Sequence, residues 1–133
     1  MENTISKLTF DSMTMIADYS YNLKLEFLQE GLKIYIKGCW YEFELKTENN
    51  KEFISSLIES LENLKLEDWK KDYNVMDTGI FVTDLQNWKL NITYSNGEVK
   101  ESKGYGAYPN NWKDFEKVIE RLVPLATIKS FWK

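Results

Sequence analysis

Histidine is missing from all 133 residues of this chain. Ser–His and Cys–His nucleophile pairs are therefore excluded, and so are the usual zinc sites. Proton chemistry would fall to carboxylates, Lys, Tyr or Ser, without the commonest general acid–base side chain. With one cysteine, no internal disulfide can form, which suits a reducing compartment. Basic charge is also short: 17 Lys and Arg face 21 Asp and Glu, for a net charge of −4. A nucleic-acid binder carries a basic face, so that class is disfavoured. No apolar run reaches the length of a membrane span. The start, Met1-Glu2-Asn3-Thr4, lacks the basic and apolar regions of a signal peptide. These absences point to a cytoplasmic, non-enzymatic protein with no metal and no cofactor.

What is present argues for a folded domain. Apolar residues make up 43% of the chain and aromatics 15%, enough for a core and too much for disorder. One domain spanning 1–133 is the natural unit, and a chain of this size can bury a core without covalent staples.

Strand periodicity dominates the first third. Ile5, Leu8 and Phe10 suggest a first strand. Leu23, Leu25 and Phe27 alternate with Lys24 and Glu26; Leu32, Ile34 and Ile36 alternate with Lys33 and Tyr35. Cys39, Tyr41, Phe43 and Leu45 then alternate with Trp40, Glu42 and Glu44. The apolar parity changes across Lys37-Gly38, which predicts a tight turn there, pairing Ile36 with Cys39, Ile34 with Tyr41 and Leu32 with Phe43. The same register sets Tyr35 opposite Trp40 and Lys33 opposite Glu42. Around Gln29-Glu30-Gly31, a four-residue loop sets Glu26 opposite Lys33 and a two-residue loop sets Lys24 opposite Lys37, a like-charge pair, so the longer loop is preferred.

Phe53, Leu57, Leu61 and Leu64 predict a helix from about Asn50 to Asn63, with Asn49 or Asn50 as its cap. The stretch 66–74 reads as a helical turn and a loop. Trp88, Leu90, Ile92 and Tyr94 make a further strand, and Asn96-Gly97 is a hairpin signal. The polar return strand reads as a guarded sheet edge. A closing helix is predicted from Asn110 to Val123, with Trp112, Phe115, Ile119 and Leu122 on its apolar face and Pro124 ending it. The tail carries Leu125, Ile128, Phe131 and Trp132, which are expected to pack back. The fold class is α+β: a single antiparallel sheet of about six strands with two helices packed on one face.

Trp88-x-Leu90-x-Ile92-x-Tyr94-x-Asn96-Gly97, followed by Gly104, Ala107-Tyr108-Pro109 and Phe115, resembles a group of small bacterial proteins without an established activity. Their pattern is roughly D-G-x-x-W-x-L-x-I-x-[YF]-x-[DN]-G, a polar strand, then G-x-N-A-[YF]-P-x-[NF] opening a last helix. The likeness covers about residues 84–122. Leu85 stands where the pattern has glycine, and Gly106 where it has asparagine. The resemblance implies a compact α+β fold, and proteins of this look often serve as immunity or accessory proteins in bacterial conflict systems.

Several positions invite a chemical reading. The stretch Gly104–Trp112 fits a strand-to-helix corner, an anion site at a helix N-terminus, or a partner surface built on Tyr105, Tyr108 and Trp112. Asp77-Thr78-Gly79 looks like the triplet of aspartic proteases, but its flanks read as a loop. Cys39 reads as a small core hydrophobe. Tyr35, Trp40, Glu42 and Glu44 fall on the outer sheet face, where they form either an aromatic patch with an acidic rim or a surface covered by another element. The expected function is a non-enzymatic protein-binding module, an immunity protein that occludes a basic toxin. The alternative is a small-ligand, anion-binding or structural module centred on the Gly104–Trp112 corner.

Overall fold

The computed structural model describes residues 4–13, 20–29, 31–38, 42–48, 51–74 and 86–131. Seven strands form one sheet: β1 (Ile5–Met13), β2 (Tyr21–Leu28), β3 (Gly31–Gly38), β4 (Glu42–Glu48), β5 (Asp72–Asn74), β6 (Asn87–Tyr94) and β7 (Val99–Tyr105). Their order is β4-β3-β2-β1-β6-β7-β5, so the first strand lies at the centre. Among the described residues there are also two helices, α1 (Lys51–Asn63) and α2 (Trp112–Phe131), and a short 3-10 turn at Leu66–Asp68 after α1. The class is α+β with a mostly antiparallel sheet. The β5–β7 pair is parallel.

Side-chain alternation sorts this sheet into two unlike faces. Leu8, Phe10, Leu23, Leu25, Ile34, Ile36, Leu90 and Ile92 share one face and are at most 2% exposed. Leu57, Leu61 and Leu64 of the α1 region and Phe115, Ile119 and Leu122 of α2 belong to the same buried cluster. The first strand carries its apolar residues at an odd and then two even positions. A bulge between Ile5 and Lys7 supplies the extra residue, so Ile5 and Leu8 both reach the core side.

The β2–β3 pairing sets Glu26 opposite Lys33, the register preferred on charge grounds, and the ladder runs one pair further than expected, to Leu28 opposite Gly31. The β3–β4 register is a correction. Ile36 pairs with Phe43, Ile34 with Leu45 and Lys37 with Glu42. Gly38 ends β3 opposite Tyr21 instead of turning the chain. The connection is longer than the tight turn expected at Lys37-Gly38, and parity could not reveal this, because moving the partner of Ile36 from Cys39 to Phe43 shifts the strand by four residues, an even number that leaves the same faces inward. Cys39, Trp40 and Tyr41 lie outside the described residues, as do Asn49, Asn50 and Asp77-Thr78-Gly79.

Three further expectations change. The sheet has seven strands because Asp72–Asn74, within a stretch read as a loop, pairs with β7. Three residues are too few for alternation to show. β7 is consequently not a free edge over Lys103–Tyr105; β4 and β5 are the outer strands. Lastly, α2 runs through Pro124 to Phe131. Proline removes one backbone donor and disfavours a helix interior, yet a long helix can absorb that local cost. The packing of the tail side chains lies outside what the structure describes.

Candidate functional site

The corner at Gly104–Trp112 is built around aromatic rings. Trp88 on β6, Trp69 after the 3-10 turn and Trp112 at the start of α2 meet with centroids 4.7 to 5.9 Å apart. Phe10 and Phe115 extend the cluster inward, at 5.0 Å from each other. A buried indole needs a partner for its N–H. Trp88 Nε1 donates to the Ala107 carbonyl at 3.0 Å, and Trp69 Nε1 donates to Asn111 Oδ1 at 2.9 Å. Asn111 Nδ2 in turn donates to the Leu64 carbonyl at 2.7 Å. The Asn111 side chain thus ties the α1 exit to the α2 entry instead of capping its own helix.

The two glycines of the corner serve different needs. A Cβ on Gly104 would stand 2.2 Å from Trp88 Nε1 and 2.6 Å from the Ala107 carbonyl oxygen, so only glycine lets the indole cross the strand. Gly106 has φ of 66°, the left-handed region. Asparagine is the other residue that tolerates this region well.

A polar relay closes the corner. Tyr108 donates from its hydroxyl to Gln86 Oε1 at 3.2 Å, Gln86 Nε2 donates to Ser12 Oγ at 2.6 Å, and the Gly106 amide donates to the Gln86 carbonyl at 3.0 Å. Ser12 is 1% exposed, so this chain satisfies a buried hydroxyl. Of the three aromatic residues assigned to a partner surface here, Trp112 is largely buried, while Tyr105 and Tyr108 are partly open. Tyr108 stacks on Trp112 at 4.9 Å. Its hydroxyl is held above the ordinary phenol range by burial and then by the charge of Glu116.

The second group of candidates lies elsewhere. Tyr35, Glu42 and Glu44 share the outer face of β3 and β4. Tyr35 donates to Glu42 Oε1 at 2.9 Å, and this bond, then burial and the charges of Glu42 and Glu44, raise its hydroxyl above the usual value. Lys33 contacts Glu44 at 3.2 Å and Lys24 contacts Glu26 at 3.3 Å. The described side chains of this face are half-buried or exposed. The face is laced with charges of both signs, because Lys7, Lys89 and Lys103 share it with Asp11, Glu101 and Asp72. The acidic rim expected from the sequence is therefore a near-neutral mosaic. Trp40 lies outside the described residues.

The two groups stand at opposite ends of the sheet. Tyr35 on β3 and Tyr105 on β7 are separated by four strand spacings, about 19 Å. Sequence reading gave a shared face but no distance across it. It also missed a hollow of about 490 Å³ near Tyr105, lined by Met13, Asn87, Lys89 and Asp72 among others. Met13 is 59% exposed there.

Among the described residues no His, Cys, Asp and Glu cluster could hold a metal ion. No described helix is long and apolar enough to cross a membrane. No family model, curated protein or solved structure matches this chain.

Proposed function

We propose that this chain is a non-enzymatic protein-binding module that meets its partner through the outer face of the sheet. The carrying observation is that face itself. Seven strands present it, its described side chains are half-buried or exposed, and Tyr35 stands on it tethered to Glu42. A broad, rigid surface with ordered charges of both signs selects partners by local complementarity. Tyrosine on such a surface supplies contact area at small entropic cost. A basic partner is favoured by the net charge of −4, which acts at long range. Occlusion of a toxin as the setting rests on the resemblance carried by Trp88–Phe115.

The test is reconstitution with a partner purified from the native source. Tyr35→Ala and the double variant Glu42→Lys/Glu44→Lys should each weaken the complex roughly tenfold or more. The on-rate should fall as salt rises. Full affinity in both variants would overturn the assignment of this face.

A further inference from the structure

The two outer strands of the sheet are unequal. β5 has three residues and β4 has seven, Glu42 to Glu48. Sheets blunt an edge with a short strand, a proline, a bulge or charge. β4 is not short and contains no proline. Its ladder with β3 runs without a register shift from Lys37 opposite Glu42 to Gly31 opposite Glu48. Alternate N–H and C=O groups of such a strand point away from its one neighbour. Among the described residues no backbone hydrogen bond reaches 42–48 other than those of the β3 ladder.

Charge is the remaining guard, and on β4 it has both signs. Glu44 and Lys46 are exposed on the outer face, on either side of Leu45, which is half-buried against the core. A two-fold axis normal to the sheet sets two copies of this strand antiparallel and keeps both outer faces on one side. The pleat then allows only registers that join residues of the same face. With Leu45 on the axis, all seven residues pair, and Glu44 stands opposite the partner subunit's Lys46 twice over. A slip of one step either way sets Glu44 opposite the partner subunit's Glu44, or Lys46 opposite the partner subunit's Lys46, and like charges so placed are unfavourable. The strand therefore matches itself in one register.

That register also improves a row within the chain. Lys46 lies directly opposite Lys33 on β3, a like-charge pair, and a second copy brings a carboxylate to its other side. The ends set Glu42 opposite the partner subunit's Glu48, where Lys37 across from Glu42 on β3 offsets the charge. The half-buried Leu45 meets the partner subunit's Leu45 and loses its remaining contact with water.

We propose that two copies of this chain associate through β4, edge to edge and antiparallel, with Leu45 on the two-fold axis. The inference stands apart from the binding partner of the outer face, because it uses the backbone edge and needs no second protein. Seven residues a side is small against a standard interface, so the dimer is weak and depends on concentration.

Sedimentation velocity on the intact chain, from about 5 µM to about 1 mM, tests this. A monomer–dimer equilibrium is expected. Hydrogen exchange on the same samples should slow at alternate amides of 42–48 as the dimer forms. Glu44→Lys and Lys46→Glu should each weaken association roughly tenfold, since like charges then meet twice. The double variant Glu44→Lys/Lys46→Glu should return to within about threefold of wild type, because the facing pairs are restored in reverse. Both side chains are exposed, so thermal midpoints check that the variants keep the fold. A monomer at every concentration, a dimer whose 42–48 amides exchange as fast as the monomer's, or a double variant as weak as the single ones would overturn the proposal.

Discussion

The indole of Trp88 occupies the space that a side chain at Gly104 would need. A Cβ there would lie 2.2 Å from Nε1 and 2.4 Å from Cε2. The two residues are direct partners across the β6–β7 ladder, so neither can step aside without moving a strand. Gly104→Ala should therefore cost about 1 to 3 kcal/mol, the range expected for forced overpacking. Urea unfolding would read this as a lower midpoint at unchanged slope. Wild-type stability in that variant would show that the indole has another resting place.

Asn111 holds two ends of the fold together, accepting from Trp69 and donating to Leu64. Asn111→Ala leaves a buried indole N–H and a carbonyl without partners, at a cost of about 2 kcal/mol. Asn111→Asp keeps the acceptor for Trp69 but loses the donor to Leu64, so it should also destabilise. A double-mutant cycle with Trp69→Phe isolates the first bond, and about 1 kcal/mol of coupling is expected.

Tyr94 gives the chain an alkaline limit. Its hydroxyl is buried without a hydrogen-bond partner. Burial, then the charges of Glu67 and Glu98, raise its pKa above the ordinary 10.0. The folded chain thus holds this proton more tightly than the unfolded chain. The stability it contributes is complete below pH 10.0 and is lost as pH rises through the higher folded value. Tyr108, raised by burial and by Glu116, acts in the same direction. Tyr94→Phe should flatten the alkaline decline. At neutral pH it should leave stability unchanged or improve it, because the orphaned hydroxyl is removed. Denaturant titrations at neutral pH and above pH 10 measure both effects.

The charge mosaic of the outer face should matter little for folding. Lys33 and Glu44 are 39% and 54% exposed, and exposed ion pairs contribute at most about 1 kcal/mol. Lys33→Ala and Glu44→Ala should each shift the thermal midpoint by only a few degrees. Any larger loss of binding in Glu42→Lys/Glu44→Lys would then report on the interface itself.

Much of the architecture was legible in the sequence because it rests on local patterns. Strand alternation in 23–36 and 88–94 named the buried face correctly, since the pleat sends every second side chain the same way. The helix at 51–63 followed from its apolar spacing. Asn96-Gly97 forecast the β6–β7 hairpin, in which Gly97 adopts φ of 89°. Register at β3–β4, the three-residue β5 and the passage of α2 through Pro124 were not legible. Each depends on what a segment pairs with, and parity cannot distinguish connections that differ by an even number of residues.

The sequence by itself determined that this chain has no imidazole and can form no internal disulfide, because a side chain that is absent cannot act. It also determined the two-faced sheet. Only the tertiary structure decided that Trp112 belongs to an aromatic interior, that Tyr35 and Tyr105 stand four strands apart in the sheet, and that Glu116 and Glu120 border a hollow beside Phe10 and Tyr21. Periodicity fixes the direction in which a side chain points. What it meets there is fixed by strand order and helix placement, which join residues a hundred positions apart.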